Sequence, residues 1–360
     1  MKPVRFALGL LALGCAVWLG AYLSGERSRI VDMTPLPAVQ ARGTTPSLDG
    51  AVEWLNTKPL GDADLRGKVV LVDFWTYSCI NWLRTLPHVR AWADKYREQG
   101  LVVVGVHSPE FGFEQDLANV RAATARLQVD YPVAVDSRHT IWRAFGNSAW
   151  PAIHILDARG RLRHTHLGEG GFEKTERVLQ ELLAEAGAGT VDRTLVQVQG
   201  SGSQAQADWA SLRSPETYVG HARTHNFASP GGIARDRVRD YSAPAALRLN
   251  AWALSGPWRV GGEAASLHAA NGRIVYRFQA RDVHLVMGPT SRGQAVPFRV
   301  LVDGKPPGES HGADVDAHGM GTVVEHRLYQ LVRQPGRIEP REFEIEFLAP
   351  GVEAFSFTFG

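Results

Sequence analysis

One cysteine, Cys79, stands where a thiol could act as a nucleophile. It follows the apolar run of residues 69–75 and a short polar turn, and apolar residues at helical spacing begin directly after it. The sequence therefore predicts a strand, a turn and a helix, with Cys79 at the helix start. The first amides of a helix lack intrahelical acceptors and carry partial positive charge, which stabilises a thiolate. We therefore expect the pKa of Cys79 to lie below that of a free thiol.

The segment around Cys79 resembles a known active site. FWTYSCINWLRTLP, residues 74–87, is similar to the active-site segment of thioredoxin-like proteins of the TlpA and DipZ type. That family carries Cys-x-x-Cys followed by a kinking proline, which Pro87 matches, but Trp82 replaces the second cysteine. The resemblance implies that Cys79 is the catalytic nucleophile. Without a resolving thiol, an external thiol must release any mixed disulfide that Cys79 forms.

The resemblance also implies a groove that receives a partner chain. The family places a cis-proline before a strand, opposite the active cysteine, and Pro151 matches that position, although X–Pro bonds are more often trans. The predicted groove residues are Trp75, Tyr77, Asn81, Trp82, Glu110, Trp150 and Pro151. Trp82 lies one helical turn from Cys79, so its indole either covers the sulfur or contacts a substrate. Glu110 is either a proton-transfer group or a surface carboxylate, and His107 is expected to be structural.

Strand and helix patterns alternate around this segment. Residues 101–107 form a nearly continuous apolar run typical of a buried strand, residues 114–127 and 172–186 have helical spacing, and residues 131–136 and 163–167 are predicted strands. This alternation indicates an α/β layer fold. Residues 47–67 resemble the short hairpin that precedes the first core strand in TlpA-like domains.

The second half of the chain has a different pattern. Residues 199–208 are small and polar, typical of a linker, and later segments such as residues 298–302, 342–347 and 355–359 alternate with a period of two. This alternation indicates an antiparallel β-sandwich, and the segment resembles the C-terminal domain of DipZ-type proteins, which is similar to a carbohydrate-binding module. The predicted fold is an α/β thioredoxin-like domain followed by an all-β, jelly-roll-like sandwich. The predicted divisions are residues 1–24 (signal anchor or signal peptide), 25–44 (tether), 45–188 (thioredoxin-like domain), 189–212 (linker) and 213–360 (β-sandwich).

Residues 6–23 contain no charged side chain and follow Lys2 and Arg5. The run is longer than a typical signal-peptide core and lies at the lower edge of what spans a bilayer. It predicts an uncleaved anchor in the inner membrane, with the remainder facing the periplasm. A cleaved signal peptide is one alternative, but no clear small-x-small cleavage site followed by polar sequence is present. A lipoprotein signal at Cys15 is another, but apolar residues continue past this cysteine, and we interpret it as a small apolar helix residue.

The charge balance gives little guidance on partners. The chain has 39 basic and 37 acidic residues, so its charge gives no reason to expect a nucleic-acid partner. No cofactor is predicted. Asp314, Asp316 and Glu325 occupy positions of an EF-hand-like pattern, but a histidine interrupts the pattern and the flanks resemble strands, so a solvated acidic loop is preferred to a cation site.

Three functions follow from these patterns. The first is a membrane-tethered envelope protein that exchanges thiols and disulfides through Cys79 alone, with envelope thiol or disulfide proteins and an external thiol reductant as partners. The second is a redox-inactive scaffold whose β-sandwich binds an envelope glycan or protein, and whether the chain is an enzyme is left open between these two. The third, a peroxide-reducing thiol, has only the lone cysteine in its favour.

Overall fold

The computed structural model describes residues 46–360, which form one compact unit. An α/β region (residues 46–188) is joined by a linker (residues 189–212) to a β region (residues 213–360). The prediction of an α/β fold followed by an all-β segment is confirmed. The predicted anchor, tether and Cys15 lie outside the described residues. Within residues 46–360, none of the helices combines the length and the apolar composition needed to cross a bilayer.

The α/β region contains six strands and five α-helices. In chain order these are β1 (Glu53–Leu55), α1 (Asp62–Leu65), β2 (Val69–Trp75), α2 (Ile80–Tyr96), β3 (Leu101–His107), α3 (Leu117–Arg126), β4 (Val133–Val135), α4 (Thr140–Ala144), β5 (Ala152–Leu156), β6 (Leu162–Leu167) and α5 (Phe172–Glu185). The sheet order is β1-β4-β3-β2-β5-β6. Strands β2, β3 and β4 are parallel, and the other pairings are antiparallel.

Strand β2 lies at the centre of this sheet, and all seven of its residues are buried. Its side chains alternate between two apolar clusters, with Val70, Val72 and Phe74 on one face and Leu71 and Trp75 on the other. Covering on both faces explains why β2 is apolar at every position except Asp73 rather than alternating between apolar and polar residues. The end of β2 therefore holds the turn before Cys79 on a rigid support.

The N-terminal hairpin expected from residues 47–67 does not form. Strand β1 instead pairs with β4 at the sheet edge, where Trp54 lies opposite Ala134, and the short helix α1 follows. Asn56 ends β1 in a left-handed conformation, with φ 63°, and its side-chain amide donates to the carbonyls of Val129 and Tyr131. These contacts direct β1 to a distant strand, which local sequence does not reveal.

The β region contains eleven strands, all paired antiparallel. They are β7 (Thr217–Tyr218), β8 (Val238–Tyr241), β9 (Trp252–Val260), β10 (Ala265–Leu267), β11 (Gly272–Phe278), β12 (Asp282–Pro289), β13 (Val296–Val302), β14 (Met320–Val323), β15 (Arg327–Arg333), β16 (Arg341–Phe347) and β17 (Val352–Phe359). Their order is β14-β13-β16-β11-β9-β10-β17-β12-β15, with β7 on β17 and β8 on β9. The strand order has two halves, β14-β13-β16-β11-β9 and β10-β17-β12-β15. Phe343 of β16 and Tyr276 of β11, in the first half, both contact Phe357 of β17 in the second, so the two halves share one core.

The α/β and β regions are joined by a continuous apolar contact. Phe111 and Phe113 lie in the loop after β3, and both pack against Phe355 of β17 at ring-centroid distances of 5.3 and 4.7 Å. Val286 and Leu328 of the β region belong to the same buried cluster. We call this group of five residues the shared core. The linker is also held in place, because Arg90 donates to Gln204 and Arg333 donates to the carbonyl of Gly202.

Candidate active site

Cys79 is the N-cap residue of helix α2. Its carbonyl accepts the Leu83 N–H at 3.0 Å, the first bond of the helix, and its own N–H donates to Thr76 in the preceding turn. Its side chain is half-buried, and it is the only cysteine among residues 46–360. The predicted order of strand, turn and helix around the thiol is therefore what the structure shows.

A cavity of about 300 Å³ opens beside Cys79 and is walled by both regions. The α/β region contributes Cys79, Ile80, Asn81, Arg84, Glu110 and Trp150. The linker and the β region contribute Trp209, Leu212, Ser214, Pro215, Glu216, Tyr218, Arg223, Thr358 and Phe359. Four of the residues predicted for the site, Cys79, Asn81, Glu110 and Trp150, thus meet in one place. Pro151 follows Trp150 through a cis peptide bond, as the family resemblance implied, and is itself buried.

Three predicted groove residues are placed differently. Trp75, Tyr77 and Trp82 are at most 2% exposed and belong to the core of the α/β region. The Trp82 indole stacks on Trp75 at 4.2 Å and donates its Nε1–H to Asp73 Oδ2 at 2.9 Å. This corrects the expectation that these aromatic side chains line the groove, because packing and hydrogen bonding hold them beneath it. His107 is buried against Trp75 and Tyr77, in agreement with a structural role.

Asp73 was missed by the sequence analysis, although it is the one charged residue of β2. Its carboxyl is fully buried and accepts from Trp82 and, at 3.5 Å, from the Tyr131 hydroxyl. Burial raises the pKa of Asp73 from 3.8 to about 7, and the hydrogen bonds from Trp82 and Tyr131 act in the opposite direction. Its position as a carboxyl group in an otherwise apolar strand is the sequence feature from which Asp73 could have been identified.

The raised pKa of Asp73 predicts a pH dependence of stability. The folded state binds the proton more tightly than the unfolded state, so this stabilisation is present below about pH 4 and is lost as the pH rises to about 7. Asp73→Asn keeps an acceptor for Trp82 but cannot ionise. We expect the free energy of unfolding of this variant, relative to the parent, to rise by about 2–4 kcal/mol between pH 4 and pH 8. Urea unfolding across this range measures the difference, and a constant difference would contradict the prediction.

The acidity of Cys79 differs from the expectation based on its helix position. Burial raises the pKa of the thiol, and the nearby carboxylates of Glu110 and Glu216 add to the increase, whereas the backbone N–H groups of Trp82 and Asn81 oppose it. The increase in pKa caused by desolvation and by the two carboxylates is therefore larger than the decrease caused by the N–H groups at the helix start. The direction of this pKa shift is therefore opposite to the lowered pKa expected from the helix position.

Glu110 is fixed by the β region. Its Oε1 accepts from the Tyr218 hydroxyl at 2.6 Å and from Arg223 Nη1 at 2.8 Å. The Arg223 guanidinium also lies 3.7 Å from the centre of the Tyr218 ring, a cation–π contact. Only a tenth of the Glu110 side chain is exposed. The carboxylate is thus an ion-paired contact between the two regions.

Glu114 connects the Cys79 turn to the Glu110 loop and was not singled out from the sequence. It is fully buried, and its Oε1 accepts from Ser78 Oγ at 2.5 Å. Its Oε2 accepts from the backbone N–H groups of Glu110 and Phe111 at 2.6 and 2.9 Å. The Glu114 carboxyl group therefore connects Ser78, the residue before Cys79, to the loop that carries Glu110.

The EF-hand-like residues have other partners. Asp314 accepts from Arg327 and from the backbone of Gln330, Asp316 accepts from two backbone N–H groups of its own loop, and Glu325 pairs with Arg126 and Arg327. No group of three or more metal-ligating side chains gathers anywhere in residues 46–360. The described contacts are those of a hydrogen-bonded loop.

A central sheet of this order, a cysteine at the start of the helix after β2 and a cis-proline before β5 define a thioredoxin-like protein. Comparison with known families agrees: residues 67–162 match the model described as "Thioredoxin-like", and residues 214–360 match "Thioredoxin like C-terminal domain". Thiol-disulfide oxidoreductase YkuV of Bacillus subtilis is 33% identical over 147 residues, which are 41% of this chain and 99% of YkuV. The chain belongs to the thioredoxin-like family.

Protein DipZ is a relative that matches along both regions. The Mycobacterium bovis protein is 35% identical over 349 residues, which are 95% of this chain and 46% of DipZ. The chain therefore spans about half the length of DipZ, and the resemblance inferred from the sequence is confirmed. A thioredoxin-like protein solved in its oxidised form is 34% identical, covers 39% of this chain and 95% of its own, and has a TM-score of 0.36.

Proposed function

We propose that this protein carries out thiol–disulfide exchange through Cys79 alone. The single observation that carries the proposal is the placement of the half-buried thiol at the helix start, on the wall of a cavity and near the cis-Pro151 turn. The Cys79 thiolate attacks one sulfur of a partner disulfide, which forms a mixed disulfide and releases the other sulfur as a thiolate.

Trp82 determines how this reaction ends. The position that holds the resolving cysteine in the family is occupied by a buried indole, and the described residues contain no second thiol. The mixed disulfide must therefore be released by an external thiol, which becomes disulfide-bonded to the partner while Cys79 returns to the thiol form. A monothiol of this kind works in steps with a separate reductant.

The first test is the rate of alkylation by iodoacetamide as a function of pH, measured on the full chain with Cys15→Ser as background. Because the pKa of Cys79 is raised by burial and by two carboxylates, we expect the rate to keep increasing above pH ~8.5, where a free thiol is half ionised. Peptide mass spectrometry should locate the label at Cys79.

Two variants complete this test. Cys79→Ser should abolish labelling and capture of disulfide partners, and Glu110→Gln should move the alkylation profile to lower pH by removing one carboxylate. Absence of native-state alkylation at every pH would refute the exchange function. The scaffold interpretation would then be the better account.

The scaffold interpretation receives less support from the β region. Four large aromatic residues of the β region are fully buried: Trp252, Trp258, Tyr276 and Tyr329. Trp209 of the linker is 58% exposed. The four buried rings are therefore not available to stack on a glycan.

We further propose a location and a domain division. The apolar run of residues 6–23, preceded by Lys2 and Arg5, supports a membrane tether with the remainder in the cell envelope. The common core of the two sheet halves supports the jelly-roll-like sandwich interpretation of residues 213–360. Envelope proteins with thiols or disulfides are the proposed partners, and an external thiol is the proposed reductant.

A further inference from the structure

The charges around the Cys79 cavity do not balance. Arg84 is paired with Glu169, at 3.4 Å. On the opposite wall, the single guanidinium of Arg223 faces two carboxylates, Glu110 and Glu216, and its hydrogen bond goes to Glu110. Glu216 makes no ion pair with any residue of the range 46–360. When Glu216 is ionised, the wall that the β region presents to Cys79 therefore carries a carboxylate with no ion-pair partner among residues 46–360.

Aromatic side chains accompany this charge. Trp150 and Trp209 line the same cavity, and Trp209 is more than half exposed at the mouth. The Trp150 indole is fixed by donation from Nε1 to the Ser108 carbonyl at 2.9 Å. A carboxylate beside tryptophan rings is a combination that attracts ammonium and guanidinium groups, through charge and through cation–π contact.

We propose, on the basis of the exchange function above, that this cavity selects disulfides that carry a cationic group close to the reacting sulfur. Glu216 is the recognising carboxylate, and Trp150 and Trp209 contact the cation. With cystamine as the simplest such disulfide, the Cys79 thiolate forms a bond to one sulfur. The S–S bond of cystamine breaks, and cysteamine thiolate leaves with the electron pair.

Glu216 has to be ionised for this recognition. Its side chain reaches solvent at the cavity mouth, but partial removal from water and the neighbouring Glu110 raise its pKa to about 7. At pH 8 the carboxylate is charged, and a bound cation would favour the charged form further. One unit charge within several ångströms of a cation near a protein surface changes a rate roughly tenfold at low ionic strength.

The experiment compares three small disulfides on the full chain with Cys15→Ser: dicationic cystamine, dianionic 3,3′-dithiodipropionate and neutral 2-hydroxyethyl disulfide. Rates of mixed-disulfide formation are measured at pH 8 in low salt by intact mass. The leaving thiols differ in pKa and therefore in intrinsic reactivity. For each protein variant, the rate with cystamine is therefore divided by the rate with 3,3′-dithiodipropionate. This ratio is then divided by the ratio of the same two rates measured with free 2-mercaptoethanol as the attacking thiol.

We expect a normalised ratio of roughly ten, which falls towards one in Glu216→Gln and in 0.5 M salt. Glu181→Gln removes the same charge from exposed Glu181 of helix α5, outside the cavity, and should leave the ratio unchanged. A ratio near one in the parent, or one that Glu216→Gln leaves unaltered, would overturn the charge selection while the exchange function stands. Failure of all three disulfides to react would instead overturn the exchange function itself.

Discussion

Trp82→Ala is expected to lower the free energy of unfolding by about 3–5 kcal/mol. The indole is fully buried, stacks on Trp75 at 4.2 Å and bonds to Asp73 at 2.9 Å. Its removal leaves a cavity beneath the Cys79 helix and takes away the closest donor of a buried carboxyl group. Urea unfolding followed by circular dichroism measures the change.

Trp209→Ala is the matched control for this prediction. Trp209 is 58% exposed, so its truncation should change the free energy of unfolding by no more than about 0.5 kcal/mol. Equal stabilities of the two alanine variants would show that Trp82 is not the packing residue described above. Trp82→Cys also removes the indole and leaves a cavity in the core. The stability of this variant therefore has to be measured before its restored Cys-x-x-Cys pair is assayed for reductase activity.

Arg84→Met is expected to lower the free energy of unfolding by about 3–5 kcal/mol, because it leaves a buried charge without its partner. Arg84 and Glu169 have side chains only 1% and 4% exposed, at an N–O distance of 3.4 Å. Arg84 Nη2 also donates to the carbonyl of Phe359 at 3.1 Å, which connects helix α2 to the last strand of the β region. Thermal and urea unfolding both report the loss.

Two further variants separate the charge effect from lost packing. Arg177→Met removes an arginine from an exposed pair with Glu173 and should cost less than about 1 kcal/mol. The double variant Arg84→Met with Glu169→Gln no longer carries the unpaired carboxylate and should recover part of the lost stability. A double variant less stable than Arg84→Met alone would mean that the unpaired charge is not the cause.

Local sequence was sufficient for the elements that hold Cys79. Strand β2, the start of helix α2 and strand β3 follow from apolar runs and helical spacing, which are set by neighbouring residues. The cis-Pro151 could be expected only through the family resemblance, because the sequence preference is for trans.

The chemistry of the site depends on residues far apart in the chain. Glu216 reaches the cavity of Cys79 from the β region, and no pattern near Cys79 reports that carboxylate. The sequence therefore predicted a lowered pKa from the helix position alone and missed the opposing effects of burial and charge. The orientation of Trp82 was missed for a related reason: helical spacing gives its face, but only packing against Asp73 and Trp75 shows that this face turns inward.

The shared core has a consequence for how this fold can be divided. Phe111 and Phe113 come from the loop that carries Glu110, and Phe355 comes from β17, the last strand of the β region. An α/β fragment cut at the linker would expose these rings to water and so present an apolar surface next to Cys79. The β region therefore covers an apolar surface of the α/β region and supplies part of the wall around Cys79.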